Sequence, residues 1–183
     1  MQQVDFSRYD NTWYQPGSII KCFLWYFTNC IFFINPVSFS SRIKILLLKL
    51  YGAKIGRGVI IKPGVNIKYP WLLEIGNNVW IGERVWIDNL GKLKIGNNVC
   101  ISQGAILLFG NHNYKKSTFD LIVKEIVLED GVWIGAKAII CPGVTMRSHS
   151  IAKAGSIITK ETEPFTIYQG NPAIPIKLRK INN

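Results

Sequence analysis

The feature that most restricts what this chain can fold into is a ladder of aliphatic residues spaced six apart. Ile55, Ile61 and Ile67 begin it, Ile75, Ile81 and Ile87 repeat it, and Ile95, Ile101 and Leu107 repeat it again. After one interruption it resumes with Leu128, Ile134, Ile140, Met146, Ala152 and Ile158. Four places after most rungs stands a small or β-branched residue, such as Val59, Val79, Val99, Val132 or Ser150. An α-helix repeats near 3.6 residues and a flat strand at 2, so neither carries this pattern. A six-residue unit reads as a short strand plus a corner, the code of a β-helix. One coil cannot bury its own rung, so only the stack is stable.

A longer period overlies the first. Ile55, Ile75 and Ile95 are 20 residues apart, three units plus two extra residues that fall after Ile67 and Ile87. The same corner is therefore enlarged on successive turns. From Leu128 onward the period is 18. Three units per turn predict a triangular prism of about five turns. A β-sandwich with glycine-rich turns needs no such strict phase.

At 183 residues one core is expected. The ladder divides the chain into an extension over 1–54, a β-helix over 55–163 with an extended loop at 108–127, and a tail over 164–183. Cys22, Cys30, Cys100 and Cys141 form no CxxC pair, which suggests neither a disulfide scaffold nor structural zinc and fits a reduced, cytoplasmic setting. The net charge of +11 favours anionic partners. Its lysines and arginines are scattered without an aromatic-interleaved stripe, which argues against nucleic acid.

The extension differs in character. Ile19 to Ile34 is strongly apolar, yet it covers 16 residues and contains Lys21, Thr28 and Asn29. That is short of the roughly 20 apolar residues of a membrane span, and it lies too far along the chain for a signal peptide. Arg42 to Leu50 has a helical spacing of basic and aliphatic residues. The expectation is helices packed on the prism's end or on a neighbouring subunit. A peripheral helix at the inner face of an anionic membrane, aided by Lys21, Arg42, Lys44 and Lys49, is the second reading.

The residue before each rung points outward. On the first face the series is Ile60, Trp80, Cys100, Trp133 and Ile151; on the second it is Asn66, Trp86, Ile106, Ile139 and Ile157. Two such stripes are too large to leave wet on a soluble monomer, so they read as an oligomer interface. On the third face the corresponding position falls on His112, where the segment Asn111 to Val127 breaks the ladder.

The phrases IGNNVCISQGAILLFGNHNYKKSTF, VWIGAKAIICPGVT, AGSIITKE and YQGNPA resemble the hexapeptide-repeat acyltransferases. Within these the chain is most similar to exopolysaccharide O-acetyltransferases of the colanic acid type, related to galactoside and maltose acetyltransferases. The resemblance spans residues 43–177. It implies an all-β fold, a left-handed parallel β-helix with a helical N-terminal extension and a short C-terminal tail. It also implies a homotrimer with active sites between subunits, acetyl-CoA as co-substrate, a saccharide acceptor, and no metal.

The implied chemistry suits these residue types. An acceptor hydroxyl attacks a thioester poorly until a base takes its proton, and a neutral imidazole does this at neutral pH. His112 falls on the family's catalytic histidine. Ala136 and Ala154 are 18 apart and stack on adjacent turns, where small side chains with Gly135 and Gly155 leave backbone amides open to a pantetheine arm. By resemblance, Ala136 and Ala154 match coenzyme A contacts, Thr159 with Lys160 faces the nucleotide, and Lys177 is a candidate for the 3′-phosphate. Where relatives often carry a basic residue after GNPA, this chain has Ile174 and Pro175, leaving Arg179 or Lys180 to substitute. For the acceptor, Asp88 and Asn89 lie on the enlarged corner, and Trp86 and Trp133 offer aromatic faces to a sugar. Asp88 and Asn89 also have a plain reading as turn formers, and the tryptophans as interface residues.

Rival functions are few. A γ-class carbonic anhydrase needs three histidines for zinc, and this chain has only His112 and His149. N-acylation of an amino-sugar nucleotide would use the same prism and histidine. A non-catalytic β-helical scaffold would not need an intact NHNY loop or the Gly/Ala groove.

Overall fold

The computed structural model describes residues 3–37 and 39–182; Met1, Gln2, Ser38 and Asn183 lie outside the described residues. Short strands, one per hexapeptide, stack in parallel into three faces. The first face runs from Ile60–Ile61 through Trp80–Ile81, Cys100–Ile101 and Trp133–Ile134 to Ile151–Ala152. The second holds Asn66–Ile67, Trp86–Asp88, Ile106–Leu108, Ile139–Ile140 and Ile157–Ile158. The third holds Lys54–Ile55, Leu73–Ile75, Leu93–Ile95, Ile126–Leu128 and Thr145–Met146. Rung sits on rung: Ile55 pairs with Ile75, Ile75 with Ile95, Ile95 with Leu128, and Leu128 with Met146. The interruption after Leu107 therefore leaves the register intact. Ile81, Ile87, Leu107, Ile134, Ile140 and Met146 are fully buried along the axis, each contributing about 2 kcal/mol by removal from water.

The third residue after each rung accounts for the six-residue unit. Asn78, Arg84, Asn98, Lys137 and His149 stand there in the left-handed region, with φ between 55 and 59°. Glycine takes the same conformation at Gly58, Gly64, Gly104, Gly131, Gly143 and Gly155. The chain turns each corner through this residue, which is why glycine and asparagine recur at that place.

Helices close the end of the prism where the ladder begins. Helix α1 (Ile19–Asn29) runs into a π-helical turn, Cys30–Ile34, and is followed by α2 (Ser41–Leu50). Ser18 and Ser40 cap them by accepting from the amides of Lys21 and Ile43. Helix α1 turns Trp25 and Asn29 inward, and the π-helical turn adds Phe33. Trp25 Nε1 donates to the Ile67 carbonyl at 2.8 Å, and the Asn29 amide to Asn66 Oδ1 at 2.8 Å. From α2, buried Lys44 donates to the carbonyls of Lys62 at 2.8 Å and Ile61 at 3.5 Å. These oxygens belong to the first turn, which has no coil beneath it, so the helices satisfy an edge that would otherwise stay open. Two of the four cations expected at a membrane are thereby engaged elsewhere. Lys44 is inside, and Lys21 lies 4.5 Å above the Trp71 ring.

The other end is closed by the tail. Thr166–Gly170 adds a sixth parallel strand to the first face, and Ala173–Leu178 folds back antiparallel on it. Ile151 is buried, whereas Trp80, Trp86 and Trp133 remain exposed in the single chain. Among the described residues, no helix is long and apolar enough to cross a membrane.

Candidate active site

The chain leaves the prism after Leu108 in an antiparallel hairpin, Gly110–His112 against Leu121–Val123, and re-enters at Ile126. His112 thus does not occupy the third face, where the hexapeptide count puts it. Val127 stands there beside Lys94, because the two extra strands pair with each other and drop out of the coil. The His112 ring stacks on Phe119, with centroids 4.4 Å apart and planes 6° from parallel. Its Nδ1 lies 2.9 Å from the Phe119 carbonyl oxygen. A carbonyl only accepts, so in the neutral ring Nδ1 carries the proton and Nε2 presents the lone pair. Phe119 holds φ at 51°, unfavourable for an aromatic residue. Lys116 and Thr118 brace the same turn through Asp120, at 2.7 and 2.5 Å, and hold its carboxyl below the usual range.

The N-terminal arm lies against this hairpin. The Asp5 amide donates to the Ser117 carbonyl at 2.9 Å, and Phe6 meets Phe119 edge-on at 5.3 Å. The Tyr9 ring is 5.8 Å from that of His112, and the Tyr14 hydroxyl donates to the Leu90 carbonyl at 2.7 Å. Sequence reasoning missed these residues. They have no periodicity, and their one signal is the density of aromatics in Phe6, Tyr9, Trp13 and Tyr14.

On the first face a groove of about 530 Å³ is lined by Ser102, Trp133, Gly135, Ala136, Ala154 and Lys177, among others. Of the coil amides beside these small residues, those of Gly135 and Gly155 are taken up within the coil: they donate to the carbonyls of Ala152 and Ala136 at 2.7 and 2.9 Å. The amides of Ala136 and Ala154 donate to no protein group among the described residues. Gly135 is required by packing, since a Cβ would stand 2.5 Å from the Ala154 nitrogen. Thr159 and Lys160 are exposed on the next corner, after Ile157–Ile158, and do not line this groove. Arg179 is not free to replace a missing tail cation: it donates to the carbonyls of Gly131 and His149 at 2.8 and 3.2 Å.

The acceptor candidates do not converge in one chain. Asn89 is fully buried, and its amide bonds both the nitrogen and the oxygen of Tyr69 at 3.0 and 2.7 Å. It locks two enlarged corners together and presents nothing to a ligand. Asp88 and Trp86 line a separate cavity of about 320 Å³ with Trp25, Tyr26, Lys68 and Tyr69. Lys68 Nζ comes within 3.1 Å of Asp88 Oδ1 but out of hydrogen-bond line, leaving that buried oxygen without a donor. Trp133 belongs to the first-face groove, its indole donating to Ser102 Oγ at 3.0 Å. His112 is likewise absent from the groove lining.

No protein-family model matches the chain. Individual relatives do. WcaF of Escherichia coli K12, provisionally named a colanic acid biosynthesis acetyltransferase, is 33% identical over 166 residues, covering 91% of each chain. The galactoside O-acetyltransferase of the same organism is 30% identical over 140 residues, 75% of this chain and 68% of that one. Among solved structures, the hexapeptide-repeat acetyltransferase VCA0836 of Vibrio cholerae superposes with a TM-score of 0.73 at 25% identity, covering 80% and 85% of the two chains. That protein has also been solved with acetyl-CoA, where identity is 24%, TM-score 0.73 and coverage 80% and 81%.

Proposed function

The chain belongs to the hexapeptide-repeat acetyltransferases, and on that footing we propose that it moves an acetyl group from acetyl-CoA to a hydroxyl of a saccharide with His112 as general base. The observation that carries this is the Nδ1 contact of His112 with the Phe119 carbonyl, which favours the tautomer with a basic Nε2. The acceptor O–H gives its proton to Nε2 as its oxygen attacks the thioester carbonyl carbon. The tetrahedral intermediate expels the coenzyme A thiolate, which takes the proton back from the imidazolium. The open amides of Ala136 and Ala154 support a donor role for the first-face groove, because they match the carbonyls of a pantetheine arm. Lys177, which lines that groove, is our candidate for the 3′-phosphate; Gly135 lines it too, and Gly155 follows Ala154 just outside the lining. Thr159 and Lys160 would reach only an extended nucleotide.

His112 does not line the groove of its own chain, so the complete site is proposed to form between copies in a homotrimer. The exposed tryptophans, Trp80 and Trp133 on the first face and Trp86 on the second, support this arrangement. The saccharide acceptor rests on the names of the Escherichia coli relatives. Asp88, which lines the cavity beside Trp86 and pairs with Lys68, is the proposed acceptor contact. The test is acetyl-CoA consumption against free sugars, sugar nucleotides and lipid-linked saccharides. Turnover with a hydroxyl acceptor supports the proposal. Faster acetylation of an amino sugar or amino-sugar nucleotide would overturn it in favour of N-acylation.

A further inference from the structure

Helix α1 carries large apolar residues on both its inner and its outer face, with Lys21, Thr28 and Asn29 as its polar residues. Its inner face, Trp25, Asn29 and then Phe33, is buried against the prism. Its outer face carries Ile19, Ile20, Phe23, Leu24, Phe27 and Ile31, each about half exposed or more, with Ile19 at 88% and Phe23 at 60%. A helix apolar on opposite faces is normally buried on both. Helix α2 repeats the arrangement: Lys44 and Leu48 are inside, while Ile43, Leu46 and Leu50 are bare. Both helices cap the same end of the prism, so two uncovered apolar faces belong to one end of the molecule.

The charge of that end decides what covers them. From Asn11 to Leu73, which includes both helices and the first turn, there are eight lysines and arginines and no aspartate or glutamate. Lys44 is buried, and Lys54 and Lys68 pair with Glu74 and Asp88 of the second turn. Exposed Arg42, Lys49, Arg57 and Lys62 remain, and two such ends packed together would bring these like charges against each other, which disfavours an end-to-end contact of two copies. The occupant must be apolar inside and anionic at its surface. No helix among the described residues can cross a membrane, so contact would be in the plane of the interface, where exposed Arg42 and Lys49 beside the bare faces meet headgroup phosphates.

We propose that this cap docks end-on to an anionic phospholipid bilayer, with the outer face of α1 entering the headgroup boundary and the cations of the first turn around it. The proposal stands apart from the acetyl-transfer chemistry and does not need it.

The experiment is co-sedimentation of the full chain with vesicles of phosphatidylcholine containing phosphatidylglycerol, and with phosphatidylcholine alone, at low and high salt. The expected result is binding to the anionic vesicles that weakens about tenfold or more in high salt and on neutral lipid. The variant Phe23→Glu/Phe27→Glu, whose side chains face outward, is expected to keep its oligomeric state and circular dichroism and to lose binding about tenfold or more. A folded chain that ignores anionic vesicles overturns the proposal. Salt-sensitive binding that Phe23→Glu/Phe27→Glu leaves unchanged overturns it too, since charge alone would then be responsible. A change of oligomeric state in that variant would show that a neighbouring copy covers the face instead, with the same consequence.

Discussion

The main-chain oxygen of Phe119 lies 2.9 Å from Nδ1 of His112, and the two rings stack at 4.4 Å. One residue in a strained conformation thus fixes both the tautomer and the plane of the imidazole. Nitrogen chemical shifts of the neutral His112 ring should report a protonated Nδ1 and a bare Nε2. The opposite tautomer as the main species would contradict this role for Phe119. Phe119→Ala keeps the carbonyl but loses the stack, and should lower kcat about tenfold with acetyl-CoA affinity unchanged.

Gly135 and Gly155 are 20 residues apart in sequence and differ in why they are glycine. A methyl group at Gly135 meets main-chain atoms of the next coil at 2.5 Å, so Gly135→Ala should cost about 2 kcal/mol or more in urea unfolding and impair donor binding. A methyl group at Gly155 meets open space, but its φ of 71° penalises alanine, for about 1 kcal/mol. Equal losses for the two variants would refute the distinction.

Burial lowers the Lys44 amine below its ordinary 10.5. As pH rises through the interval beneath 10.5, the folded chain therefore sheds this proton before the unfolded chain does. The unfolded state then binds more protons, and this group's contribution to stability rises with pH. Comparison of the protein with Lys44→Met by chemical denaturation should show that upward slope in the difference between them, and a flat difference at neutral pH. A difference that falls over the alkaline interval would mean that the charge is better solvated in the fold than burial suggests.

How far the sequence reveals this molecule depends on which contacts are periodic. The rungs from Ile55 to Ile158 are legible because every coil must solve the same packing problem, and Ile75 over Ile95 or Ile134 over Ala152 follows from counting. The interruption after Leu107 is legible as a departure from that count. Its form is not, since nothing in NHNYKKSTF announces that His112 will rest on Phe119. Asn89 reads as a corner polar residue available to a ligand, and only the fold reveals that Tyr69, 20 residues earlier, uses its whole amide. The approach of Tyr9 to His112 joins residues over a hundred positions apart, one of them in a segment without any repeat. Lys44 looked like a surface cation because helical spacing does not say which end of a sheet needs donors.

If the outward stripes meet between copies, unpaired charge placed within them should separate the copies. Ile106 and Ile139 are partly covered on the second face. Ile106→Glu/Ile139→Glu should convert the trimer to monomer by light scattering and abolish turnover. An unmodified protein that is a stable monomer would remove the shared site.

The central claim is that His112 is the base, and its most direct measurement is turnover of His112→Ala beside its acetyl-CoA affinity. Loss of about a hundredfold or more in kcat is predicted, with donor affinity and fold unchanged. His149→Ala is the control. Its ring stacks on Phe165 at 4.6 Å and bonds Ser148 at 2.6 Å, so it should lose some stability and little turnover. Near-normal kcat in a folded His112→Ala protein would contradict the account.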